Sequence, residues 1–214
     1  TEIYTLSLHD ALPIFTNLDG SKVAVDMMSN TFEEQIAYCA DDKFKGIKLP
    51  YSAGAAMYLI LPVDDDALNV AALWDAESVE YRENFLDGLK NSPAFDGEVV
   101  VRLPKLSLNF EVILDEKLKL IGIERALTND AEFNIVKDTS LKIDEIRHQA
   151  RIKVDEEGTE AAAVTEIVMV EATAAPNHEP PRRVYFIAKR PFLFVIRDVE
   201  SNVTLFAGVA NKFL

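Results

Sequence analysis

Few side chains in this sequence are equipped for acid–base, nucleophilic or metal chemistry. There are three histidines, one cysteine and one acidic run dense enough to suggest a cation site. His9 lies in an opening stretch unlike the rest of the chain, His148 on one face of a strand-like segment, and His178 in a proline-rich segment. An acyl-transfer, metal-dependent or phosphate-binding enzyme needs such groups at recognisable spacing, and neither a nucleophile elbow, a zinc-ligand pair nor a phosphate loop can be read here. Cys39, as the lone cysteine, excludes an internal disulfide and a cysteine-pair metal site; between Tyr38 and Ala40 it reads as a small buried hydrophobe. Asp64-Asp65-Asp66 precedes ALNVAALW, and acidic residues favour the first turn of a helix through its dipole, so the run reads as a helix start rather than a metal cluster. The expectation is a protein that is not an enzyme: no catalytic residues, no metal and no cofactor.

Composition narrows the partners. The 214 residues are 49% hydrophobic and 27% charged, ordinary for a globular domain with a real core. A formal net charge of -14 leaves no basic surplus to neutralise phosphates, which argues against nucleic acid, and it repels anionic membranes. No apolar stretch is long enough to span a bilayer, and the N-terminus shows no basic region followed by an apolar block. The opening run TEIYTLSLHDALPIF has neither strand nor helix period, is interrupted by Pro13, and resembles a translated sequencing adapter. Residues 1–15 are therefore read as a non-native leader and 16–214 as the fold, any signal peptide having been lost with the true N-terminus.

The elements that would position a site are mostly strands. KVAVDMM (22–28) follows the Asp19-Gly20 turn; KFKGIKLPY (43–51) and AAMYLIL (55–61) form a buried hairpin across Ser52-Ala53-Gly54, closed by Pro62. A helix over 77–89 places Val79, Phe85, Leu86 and Leu89 on one face. Strand alternation over 99–110 breaks at Pro104, and 115–127 reads as a short helix loosened at Gly122. In the strand 146–155, Ile146, His148, Ala150, Ile152 and Val154 form a core face, so His148 needs a hydrogen-bond partner from another strand; Arg147, Gln149, Arg151, Lys153 and Asp155 face water. After the charged turn Glu156-Glu157-Gly158, residues 159–170 keep period two but lose bulk: Thr159, Ala161, Ala163 and Thr165 are small on one side, Glu160 and Glu166 mark the other. EATAAPNHEPPRR (171–183) is an exposed loop, and 184–196 and 203–213 form a buried terminal hairpin across Arg197–Asn202.

EEGTEAAAVT (156–165) resembles the hinge of inhibitory serpins. VRLPKLSL (101–108), RPFLFVIRD (190–198) and TLFAGVANKF (204–213) resemble other motifs of that family in the same order, and VAVDMM and KGIKLPY add weaker matches. The resemblance implies an α+β, multi-sheet, β-rich serpin-type fold with a few helices, truncated at its N-terminus and lacking the family's N-terminal helices. It implies that Glu156, Glu157, Gly158, Thr159, Glu160, Ala161, Ala162 and Ala163 form the hinge of a reactive loop spanning 158–183. Gly158 would be the pivot and Ala172-Thr173 the scissile bond, with cleavage after Thr173 or Ala174 left open and Arg182 or Arg183 disfavoured by closeness to the returning strand. His148 would lie in the sheet-opening region.

In such an inhibitor the protease forms an acyl-enzyme with the loop, which then inserts as a strand. Interiors tolerate small residues there and penalise bulk or unpaired charge. The resemblance thus implies a target serine protease, of elastase or subtilisin type, as partner, and a monomer; the acidic surface and the elastase-like bait favour a secreted or extracytoplasmic parent. The 214 residues alone are expected not to trap a protease. A non-inhibitory serpin acting as a binding protein or chaperone is the alternative, disfavoured by the small, alanine-rich hinge.

Overall fold

The computed structural model describes residues 13–133, 141–155 and 181–214. In chain order the strands and helices are β1 (Ile14–Thr16), β2 (Lys22–Ala24), β3 (Met27–Glu33), β4 (Ala37–Ala40), β5 (Phe44–Pro50), β6 (Ala55–Pro62), α1 (Val70–Asp75), α2 (Val79–Asn91), β7 (Glu98–Pro104), β8 (Leu106–Ile113), α3 (Asp115–Leu120), β9 (Arg147–Val154), β10 (Arg183–Ile187), β11 (Phe192–Asp198) and β12 (Thr204–Ala210). Many strands in several sheets and few helices make this an α+β chain. It divides into two compact units, one comprising Thr1–Lys105 and Asp155–Leu214, the other Leu106–Val154.

The larger unit is built on an antiparallel sheet in the order β12-β11-β6-β5-β4. The apolar run of β6 is buried from Ala56 to Leu61, as a strand covered on both faces must be. On one face α1 and α2 lay Val70, Trp74, Phe85, Leu86 and Leu89 against Phe44, Ala56, Tyr58, Ile60 and Leu193. Gly46 permits this approach, since a Cβ there would lie 2.6 Å from Leu89 Cδ1. Both helices begin at side-chain caps: Asn69 accepts from the Ala72 N–H and Ser78 from the Tyr81 N–H. A second sheet, β10-β7-β3, pairs β10 parallel and β3 antiparallel to β7; β1 and β2 form a separate hairpin.

Several expectations need correction. Asp64–Asp66 does not start α1, because Asn69 is the better cap and the acidic run is held elsewhere: Arg190 donates to the carbonyls of Pro62 (2.6 Å) and Asp64 (3.0 Å) and pairs with Asp65 (3.0 Å). The segment 184–196 is two strands in two sheets, divided at Ala188–Pro191, where Pro191 has no N–H to offer a ladder. The expected buried terminal hairpin is buried along β11 but on β12 only at its end: Thr204–Ala207 are exposed, whereas Val209 packs against the core and Ala210 is buried. Val79 is 66% exposed, so the packed helix face begins at Tyr81, partly buried against the core, rather than at Val79. The strand read over 22–28 is split between β2 and β3, and the helix read over 115–127 ends at Leu120, with a separate 3₁₀ turn at Arg125–Leu127. Residues 13–15, set aside with the leader, take part in the fold: Phe15 is fully buried and its ring centroid lies 4.5 Å from that of Phe213.

The smaller unit is an antiparallel ribbon of β8 and β9, with α3 after β8. On its wet face Arg147 pairs with Glu111 and Glu145, each at 2.7 Å, and Gln149 donates to Glu111.

Candidate functional site

The hinge residues Glu156–Ala163 and the Ala172-Thr173 bond lie outside the described residues, as does His178. What the structure supplies is the strand before those residues and the strand after them.

The strand before them is β9. Its expected core face holds at Ile152 and Val154, which are buried, and fades through Ala150 to His148, which is exposed. The expectation of a core histidine with a hydrogen-bond partner therefore fails in this chain. His148 stands opposite Val112, its ring 6.3 Å from Phe110, and its neighbours on that face are too few to enclose it. One edge of β9 is fully paired to β8, from Arg147 opposite Ile113 to Val154 opposite Leu106. Among the described residues β8 is the strand that pairs with β9.

The strand after them is β10, and its start is tightly held. Arg183 lies opposite Glu98 in the parallel ladder, and its guanidinium Nε donates to Glu98 Oε2 at 2.6 Å. That contact raises the pKa of Arg183, since the carboxylate favours the charged form. The Glu98 N–H donates to the Arg182 carbonyl at 2.8 Å, and the Arg182 guanidinium sits 5.2 Å from the centroid of the Phe95 ring. Gly97 makes this possible twice over: its φ is +132°, and a Cβ there would fall 2.2 Å from the Arg182 carbonyl oxygen. Phe95, Gly97 and Glu98 were not among the expected site residues. The available signal was the Asp96-Gly97 turn pair just before a β-rich run, but nothing local shows what would press against that glycine.

The other chemical candidates stay apart from both strands. Cys39 is half-buried and packs against the core; burial pushes its thiol pKa up, away from the reactive thiolate. No group of three or more His, Cys, Asp or Glu side chains among the described residues is arranged to hold a metal ion.

A family model described as "Serpin (serine protease inhibitor)" matches residues 11–212. The chain belongs to the serpin family. Two plant serpins illustrate the relationship: Serpin-Z1B of Triticum aestivum is 34% identical over 213 residues, and Serpin-Z3 of Arabidopsis thaliana 35% identical over 205. These alignments take in 94% and 91% of this serpin chain but only 50% and 49% of the relatives, so the chain spans about half the length of the curated serpins it matches. Among solved structures, a thermophilic serpin, tengpin, in the native state superposes with a TM-score of 0.70 at 28% identity, covering 94% of this chain and 49% of that one. Thyroxine-binding globulin in complex with thyroxine gives a TM-score of 0.71 at 23% identity, over 95% and 50% of the two chains, a likeness of serpin fold alone.

Proposed function

We propose that the protein of which this chain forms a part inhibits serine proteases by presenting residues 158–183 as bait. The observation that carries the reading is the composition of that segment in its setting. It follows β9 after the charged residues Asp155, Glu156 and Glu157, and its sequence has small side chains at the alternate positions Thr159, Ala161, Ala163 and Thr165. Folded back at Gly158, those positions can enter a packed layer without bulk or buried charge, while Glu160 and Glu166 remain in water.

The chemistry belongs to the protease. Its serine oxygen attacks the Ala172 carbonyl, the Ala172–Thr173 bond breaks, and the Thr173 amine leaves with the transferred proton, so that Ala172 is held as an ester. Insertion of residues 159–170 beside β9 then carries the ester-linked enzyme away from the geometry it needs for hydrolysis. A small residue at the cut suits a protease with a shallow specificity pocket, of elastase or subtilisin type. His148, on the ribbon that must accept the strand, belongs to the region that opens. These 214 residues alone do not trap, because they span about half the length of the serpins they match and offer β9 as a single edge to pair with.

Incubation with an elastase and with a subtilisin, followed by a denaturing gel and mass spectrometry, tests this. Cleavage is expected within 164–181, at Ala172–Thr173 first, with no product surviving denaturation at the summed mass. A chain cut elsewhere while that segment stays intact contradicts the bait assignment. A denaturation-resistant band would show that these residues do trap.

A further inference from the structure

We infer that Arg182 and Arg183 are a structural anchor which withholds the only nearby basic residues from proteases, so that the loop is closed to trypsin-like enzymes and open to those that read small side chains. This rests on the bait reading above and adds a specificity rule to it.

Between Glu156 and Pro181 the sequence contains no lysine or arginine. A protease that requires a basic residue therefore has only Arg182 and Arg183 to attack at this end of the loop. By exposure both look available, since both side chains reach solvent. Their backbone does not. A protease binds its substrate as an extended strand running several residues to either side of the bond, and Val184–Ile187 is already committed to the parallel ladder with β7. Cleavage after Arg183 would require peeling that strand away, and with it Phe186, which is fully buried.

The side chains are committed as well. Seating Arg183 in a specificity pocket would strip its guanidinium from Glu98, a carboxylate only 9% exposed that would be left without its cation. Seating Arg182 would cost its stacking on Phe95 and disturb the carbonyl wedged over Gly97 and bonded to the Glu98 N–H. Phe95, Gly97 and Glu98 are thus positioning residues: they hold the loop's end and remove one class of protease from its targets.

Limited digestion of the 214-residue chain with trypsin and, separately, elastase tests this, with fragments timed by mass spectrometry. In the unaltered chain the bonds after Arg182 and Arg183 are expected to survive at least tenfold longer than the elastase site in the loop. Glu98→Gln and Phe95→Leu should each speed tryptic cleavage at those two bonds at least tenfold while leaving the elastase rate in the loop unchanged. Prompt tryptic cutting of the unaltered chain after either arginine, or no acceleration in either variant, overturns the anchor. If a variant is also cut at Lys45 and Arg102 inside the sheets, it has lost its fold, and the unaltered chain decides. Failure of elastase to cut within 164–181 sinks the bait reading; the change in tryptic rate between the unaltered chain and its variants still judges the anchor.

Discussion

Arg190 is the largest of the fully buried side chains among the described residues, and a charge at 2% exposure calls for a reason. Burial pushes its pKa down while Asp65, Asp64 and Asp66 push it up, and a guanidinium stays charged in either case. Its fork ties the end of β6 to the start of β11 by holding the Pro62 and Asp64 carbonyls, although its Nε finds no acceptor. Replacing one member of such a clasp strands the others. Arg190→Met keeps the volume but leaves the Pro62 and Asp64 carbonyls without their donor, while the exposed Asp65 carboxylate returns to water, at a cost of about 1–3 kcal/mol. Arg190→Lys, a point charge in place of a fork, should recover less than half of that. Urea unfolding monitored at Trp74, which packs beside α2, measures both. A loss below about 1 kcal/mol for the methionine variant would mean that the clasp does not hold the two strands.

At the scale of elements, α2 shows how periodicity and burial part company. Val79 and Leu89 both fall on the expected apolar face, yet Leu89 is fully buried over Gly46 and Val79 is 66% exposed in the helix's first turn. Leu89→Ala should therefore cost about 2–5 kcal/mol, and Val79→Ala should stay within about 0.5 kcal/mol; equal losses in urea unfolding would refute the structural distinction. The same gap explains which elements were legible in the sequence. The β5–β6 hairpin, α2 and β9 could be read because turn residues and period are local signals. The division of 184–196 between two sheets could not, since both halves are equally apolar and only the fixed Arg190-Pro191 corner separates them. The acidic run at Asp64–Asp66 misled because a helix start and a clasped loop share a composition, and the arginine that distinguishes them lies far away in sequence. The contacts that hold Arg182 and Arg183 at Phe95, Gly97 and Glu98 arise across the fold, and no spacing encodes them.

Over the whole chain, the two units differ in how much holds them. The larger has helices packed on a five-stranded sheet, whereas Leu106–Val154 offers, among its described residues, a two-stranded ribbon, and a ribbon of that kind is marginally stable by itself. It also leaves Phe110, Ile113, Leu120, Ile121 and Ile123 exposed, so little apolar burial opposes its opening. Burial within the ribbon is graded, from Leu106 and Val154, both buried, to Val112 opposite the exposed His148. Native-state hydrogen exchange should follow that gradient. Amides of β8 and β9 are expected to exchange at least tenfold faster than those of β5, β6 and β11, fastest near Val112 and His148 and slowest near Leu106 and Val154. Such compliance is what the proposed function demands, because a strand that must accept a new neighbour cannot be locked in place at the end where opening begins. Uniform protection across both units would mean that the ribbon is as rigid as the sheet, and the energy for inserting the loop would then have to be sought elsewhere than in an easily opened β9.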